Sequence, residues 1–329
     1  MKSVFPSTYS TLSPSHLVDW ISERYGWENV QCRLLVRGVG DTYLVETNRD
    51  RYILRIYRSS HRTLTQIEME VTLLTAAREA GVPVSYPLAD LSGEMIQSLT
   101  AIEGERYAVL FSYAPGKVVR ALSESQLRTL GTQMALLHNV SSTFPQKGDR
   151  WTFDTETTLF APLRQIKNNF ADLSEDYAWL QDVAKQAANR LEHADSSSFS
   201  SGYCQFDFLP KNFHFEGDQI TFFDFDFMGY GWLVNDLMSF WQHLQLDAFA
   251  GRMKQEDVKG TFDIVLSSYR EKRSLSKEEE ELIPYLSLGF WLFYMSFHTT
   301  HDQFFAFTQP AILKSYVGIL RNLVQQYWV

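Results

Sequence analysis

The hydrophobic period changes once along this chain, and that change limits the fold more than any other feature. Cys32 to Val36, Thr42 to Thr47 and Tyr52 to Tyr57 alternate with the two-residue period of strands. From Pro115 onward the apolar residues recur mainly at helical spacing, which predicts helices over about 158–170, 175–193, 233–247, 256–271, 277–300 and 309–327. Strands gathered first and helices afterwards predict an α+β chain rather than alternating β–α units. At 329 residues the chain exceeds one ordinary core, so two units are expected, a β-rich lobe over 1–112 and a larger, mainly helical lobe over 113–329.

Local signals refine this division. Ser13-Pro14 opens a helix with proline in its first turn. Arg37–Asp41 and Asn48–Asp50 read as turns joining three strands. Thr65 to Ala80 reads as a helix stopped by Gly81 and Pro83, and Val82 to Leu88 and Tyr107 to Ser112 as further strands. Ser123 with Gln126 forms a capping box for the next helix. Glu70 follows Ile67 by three residues and precedes Leu74 by four, which turns it toward the apolar side of its helix. A carboxylate there needs a cation, and Arg55 on the third strand is the natural partner.

Composition excludes several functions. A formal net charge of −9 with no basic patch argues against nucleic acid. The longest near-apolar run, Leu286 to Phe297, is too short for a membrane span of about 20 residues. The first fifteen residues hold no signal-type apolar stretch, and two cysteines suit a reducing compartment, so a cytoplasmic location is expected. The buried-core reading of Cys204 is preferred to a nucleophile.

The chemistry concentrates in Tyr203 to Asp236. Phe213–Phe215 and Ile220–Phe223 read as two short strands around a Glu216-Gly217-Asp218-Gln219 turn. Counted outward from that turn, Asn212 and Asp224 fall together at the open end, with Asp207 five residues before Asn212. Three oxygen-bearing side chains in one place suit magnesium, which accepts few protein ligands and keeps phosphate oxygens in its shell. Asp207 is then left to face an incoming hydroxyl.

The same stretch resembles the signature of the aminoglycoside phosphotransferase, choline kinase and type II homoserine kinase superfamily. The elements here are Gln205-Phe206-Asp207, four residues, Asn212, then Asp224-Phe225-Asp226, Gly229-Tyr230-Gly231 and Asp236-Leu237. The resemblance spans about residues 15–325. It implies a protein-kinase-like two-lobed fold with a small antiparallel sheet and one helix in the first lobe. It also implies ATP and Mg2+, with Asp207 as the catalytic carboxylate and Asn212 and Asp224 as metal ligands. Asp226 is implied as a contact to a second metal or a brace for its loop. Asp236 and Gln205 are implied as supports of the catalytic loop, with Gln205 standing where the family has His. Arg55, paired with Glu70, is implied to hold the ATP phosphates. Gly38 and Gly40 lie in the implied phosphate-covering turn, and Phe111 and Tyr113 in the implied adenine hinge.

The acceptor is expected to be a small molecule with a hydroxyl, such as an amino alcohol, a hydroxy amino acid or a sugar. Trp232, Trp241, Trp291, Tyr294 and His298 are its candidate contacts. Trp291, Tyr294 and His298 share one helical face, which is either a core stripe or a cage for a ligand. A Ser/Thr protein kinase is the second reading, although the eleven residues between Asp224 and Asp236 leave little room to dock a peptide. A nucleotide-binding pseudokinase, suggested by Gln205, is the third.

Overall fold

Alternation in the first sixty residues is realised as sheet. In the computed structural model, which describes residues 5–146 and 148–328, β1 (Gln31–Arg37), β2 (Asp41–Glu46) and β3 (Arg51–Ile56) form consecutive antiparallel pairs. Residues 1–4, part of the stretch read for a signal, lie outside the described residues. With β4 (Ile96–Ala101) and β5 (Gly104–Ser112) the sheet runs β1-β2-β3-β5-β4. Packed with α1 (Pro14–Tyr25), it buries Leu17, Ile21, Tyr43, Val45, Leu54 and Leu110 in one core. α2 (Leu64–Glu79) starts on a capping box between Thr63 and Gln66.

One expected strand is absent and an unexpected one replaces it. Val82 to Leu88 makes only two isolated bridges, Val84 with Phe222 and Pro87 with Phe111. Pro83 and Pro87 withhold the N–H groups a continuous ladder needs. The strand beside β5 is instead β4, whose mixed Ile-Gln-Ser-Leu-Thr-Ala sequence gave no clear alternation. It turns back through Gly104, at φ +128° a conformation that favours glycine.

The chain divides into two compact units. The first ends at Pro115 and also takes in Thr221–Phe223, where Phe222 donates to the Pro83 carbonyl at 2.8 Å and accepts from the Ser85 N–H at 2.7 Å. The second holds the remainder. Its helices are α3 (Glu124–Ser141), α4 (Ala161–Ile166), α5 (Ser174–Glu192), α6 (Val234–Phe249), α7 (Gln255–Arg270), α8 (Lys277–Phe297) and α9 (Pro310–Tyr327). β6 (Ser201–Cys204) pairs with β9 (Gly229–Trp232), and β7 (Phe213–Glu216) with β8 (Gln219–Phe222) around Gly217 at φ +60°. The Ser123–Gln126 capping box forms as expected, and Ser276–Glu279 makes another for α8. The helix expected over 158–170 is broken into a π turn, α4 and a 3-10 turn, with Pro162 at the start of α4 lacking the N–H of a continuous ladder. Among the described residues no helix is long and apolar enough to cross a membrane.

α3 and α7 pack backbone to backbone at Gly131. A Cβ there would lie 2.3 Å from the Val265 carbonyl and 2.4 Å from Ser268 Oγ. Gly131→Ala is expected to force the helices apart and cost about 1–3 kcal/mol, read as a lower urea midpoint at unchanged m-value. An unchanged midpoint would show that this contact relaxes freely.

Candidate active site

The loop after β6 is held by one buried carboxylate. Asp236, in the first turn of α6 and fully buried, accepts the N–H of Gln205 at 3.0 Å and of Phe206 at 2.6 Å. It also sits 2.9 Å from His138 Nε2. A carboxylate only accepts here, so Nε2 carries the proton, and in the neutral ring Nδ1 accepts the Tyr269 hydroxyl at 2.8 Å. These bonds hold Phe206 at φ +65°, a region sparsely used by non-glycine residues. Its ring stacks on Phe153 at 3.9 Å. Gln205 enters this network through its main chain. Its side-chain amide additionally donates to the Asp224 carbonyl at 3.3 Å, so loss of the usual imidazole leaves the loop anchored.

The turn so fixed presents Asp207. Phe208 N–H donates to Ser239 Oγ, which itself donates to the Asp236 carbonyl, both at 3.0 Å. Asp207 is 3 % exposed. Its Oδ2 accepts from Asn212 Nδ2 at 2.8 Å and pairs with Lys211 Nζ at 2.8 Å, while Oδ1 is buried without a hydrogen-bond partner. Asn212 Nδ2 also donates to the Asp207 carbonyl at 2.8 Å. Burial raises the Asp207 pKa, Lys211 and Asn212 pull it back, and the neighbouring charge of Asp224 raises it again. Asp224 stands at φ +60°. Asp226 is buried, and its carbonyl accepts from Arg150 Nη1 at 2.6 Å. Among the described residues no group of three or more His, Cys, Asp or Glu side chains forms a metal cluster. A hard cation that takes few protein oxygens and completes its shell from phosphate and water does not need such a cluster.

α8 contributes an aromatic wall. Tyr294 stacks on Phe227 at 5.2 Å and packs on Phe290 at 4.6 Å. Burial, then the charges of Asp207, Asp224 and Asp226, push its phenol pKa well above the ordinary value, which sets it beside the acids. His298 stacks on Phe307 at 4.8 Å and is pushed down to about 4 by burial and by the charge of Lys211. Trp291, Tyr294 and His298 thus line one face of α8. Trp241 packs edge-on against Tyr327 at 5.0 Å. Trp232 lies in β9, opposite Ser201, with its ring edge-on to Phe199. Burial holds the Cys204 thiol well above its usual pKa and makes it inert.

The first unit carries its own charged elements. Arg55 Nη1 lies 3.8 Å from Glu70 Oε1, with Glu70 1 % exposed, and the Tyr57 hydroxyl donates to Glu70 Oε2 at 3.2 Å. In the β1–β2 turn Gly38 N–H donates to the Gly40 carbonyl at 3.0 Å, and Arg58 Nη2 donates to the Gly38 carbonyl at 2.8 Å. A Cβ on Gly40 would approach the Ile56 carbonyl to 3.0 Å. Phe111 pairs with Ile53 in the sheet, and Tyr113 carries the Arg51 guanidinium over its ring at 4.0 Å. Sequence reasoning missed Arg106, a buried guanidinium that joins Asp41 at 3.4 Å to the carbonyls of Ser10, Ile56 and Tyr57. It also missed His138, Arg150 and Lys211. Of these only Lys211, four residues after Asp207, had a local signal.

A family model described as "Phosphotransferase enzyme family" matches residues 32–262. An uncharacterized protein of Synechocystis sp. is 33 % identical over 274 residues, 82 % of this chain and 76 % of that one. Amicoumacin kinase of Bacillus subtilis is 26 % identical over 220 residues, 65 % of this chain and 63 % of that one. A microcompartment-associated aminopropanol kinase superposes with TM-score 0.74 at 20 % identity, covering 94 % of this chain and 95 % of that one. The amicoumacin kinase hAmiN, solved with AMP-PNP, Ca2+ and Ami, gives 0.71 at 18 % identity and 94 % of each chain. These structural likenesses establish the protein-kinase-like α+β fold.

Asp236→Ala strands two backbone N–H groups and His138 in a buried site. It is expected to destabilise the chain by about 3 kcal/mol or more, measured by chemical denaturation. A cost below about 1 kcal/mol would mean that water readily replaces the carboxylate.

Proposed function

Because the chain belongs to the phosphotransferase enzyme family, we propose that it moves the γ-phosphoryl group of ATP to the hydroxyl of a small molecule, with Mg2+ as the metal. The observation that carries this reading is the state of Asp207: one oxygen is held by Lys211 and Asn212, and the other is buried and open to accept a proton. Phosphoryl transfer asks a protein chiefly for positioning and charge neutralisation. Asp207 Oδ1 accepts the proton of the acceptor hydroxyl as that oxygen bonds to the γ-phosphorus, and the bond from phosphorus to the ADP oxygen breaks. Asn212 and Asp224 would hold the metal, with Asp226 supporting the loop or a second ion. The metal, when bound, supplies neutralising charge to the phosphate oxygens. Arg55, buttressed by Glu70, would hold the nucleotide phosphates, under the turn carrying Gly38 and Gly40. Phe111 and Tyr113 would border the adenine. In this reading 1–112 is the nucleotide lobe and 113–329 the catalytic one.

A small acceptor is favoured over a protein. Between Asp224 and Asp236 the chain makes a turn and β9 before entering α6, with no long segment to dock a peptide. The names of relatives point the same way, since amicoumacin and aminopropanol are small molecules. The anchoring of Gln205 through its backbone weighs against a pseudokinase.

Release of ADP from magnesium-ATP over a panel of hydroxylated small molecules tests the proposal. Asp207→Asn is expected to abolish acceptor-dependent turnover, at least about a thousandfold, while ATP still binds. A near-normal rate in that variant removes Asp207 as the base. Asp224→Ala is expected to weaken nucleotide binding in magnesium but not in EDTA, followed by titration calorimetry. Equal affinity in both buffers would take the metal away from Asp224.

A further inference from the structure

α8 carries buried hydrogen-bond donors that the proposed chemistry does not use. Trp291, 7 % exposed, has a buried Nε1–H without a hydrogen-bond partner among the described residues. His298 Nδ1 also lacks one, and the buried Tyr294 hydroxyl is turned toward Asp207 without a bond of good distance and angle. An indole can only donate, and a phenol buried beside carboxylates serves as a donor. Buried groups of this kind are costly unless something satisfies them.

A cation stands with them. Lys211 Nζ, 2.8 Å from Asp207 Oδ2, has three N–H donors and spends one on that oxygen. Among the described residues Asp207 is its charged partner within hydrogen-bond distance. Its side chain is 60 % exposed, so its remaining donors are open to a ligand or to water. Its charge also reaches His298.

Against these donors stands Asp207 Oδ1, a buried carboxylate oxygen without a hydrogen-bond partner that the proposed chemistry reserves for the hydroxyl proton. A ligand rich in acceptor oxygens satisfies such a site, whereas an ammonium group would meet Lys211 as a like charge. Aromatic rings alone would suit a cation, but the Lys211 ammonium is paired with Asp207 and its charge is felt at His298 of that wall. We propose that the acceptor carries a carboxylate, bound by Lys211 with help from the donors of α8, so that the enzyme phosphorylates hydroxy acids in preference to simple amino alcohols. The inference rests on the phosphotransferase reading above.

Matched acceptors that differ by one carboxylate test it. Homoserine against 3-aminopropan-1-ol, serine against ethanolamine, and glycerate against ethylene glycol would each be assayed for phosphorylated product and ADP with the full chain and magnesium-ATP. In at least one pair the acid is expected to be the better acceptor by roughly 10- to 100-fold in kcat/KM, the size of one charge-assisted contact. Lys211→Met should reduce that ratio toward unity, chiefly by raising KM for the acid, and Lys211→Arg should keep most of it. A loss in Lys211→Met that falls equally on both members of a pair would assign Lys211 to the support of Asp207 and overturn the inference. Faster turnover of the members without a carboxylate, with Asp207→Asn silent, also overturns it but leaves the phosphotransferase reading standing. No turnover of any of the six, together with no thermal stabilisation by the acids in the presence of magnesium-ADP, overturns the carboxylate inference. Failure to bind magnesium-ATP at all overturns the phosphotransferase reading itself.

Discussion

Everything the second unit presents to chemistry hangs on a carboxylate that never meets solvent. Asp236 accepts from two consecutive backbone N–H groups and from His138, and His138 is in turn held by Tyr269. α3, α6 and α7 therefore meet at one polar point inside an apolar core. A buried carboxylate is tolerable only when its lone pairs are filled, and filling them forces Phe206 into the left-handed region. That bend presents Asp207 two residues after Gln205. The strain is local, and the stacked Phe153 and the surrounding core hold it in place.

Charge at the site is graded by the same burial. Asp207, Asp224 and Asp226 lie near enough for their charges to act together on Tyr294. Repulsion of this kind usually drives carboxylates to take up protons. Lys211 and Asn212 counter it on one oxygen of Asp207 and leave the other unengaged. The two-oxygen asymmetry is what turns a generic acid into a candidate base. The first unit solves a comparable problem with cations: Arg106 is buried against Asp41 and three carbonyls, and Arg55 is held by Glu70.

Gln205, where the resemblance implies a His, is held chiefly through its main chain. The groups that bond to Asp236 at this position are backbone N–H groups, present whatever the side chain. The side chain adds one bond to the Asp224 carbonyl, which an amide supplies. A motif read as a string of side chains can thus conceal a requirement on the main chain.

The sequence by itself determined the elements whose cause is local. Period, caps and turns are written within a few residues, so the first three strands, α2, α3, α8 and the β7–β8 hairpin fall where the pattern placed them. The spacing of Asp207, Asn212 and Asp224 picked out the candidate site for the same reason, since they flank or adjoin one short hairpin. Tertiary structure alone decided the rest. Val82 to Leu88 looked like a strand, but its prolines deny it a ladder and β4 takes the place beside β5. His138 reaches Asp236 across 98 positions, Arg106 reaches Asp41 across 65, and Trp232 packs edge-on against Phe199. No local pattern encodes such pairings, because a buried polar group selects its partner by where packing delivers it.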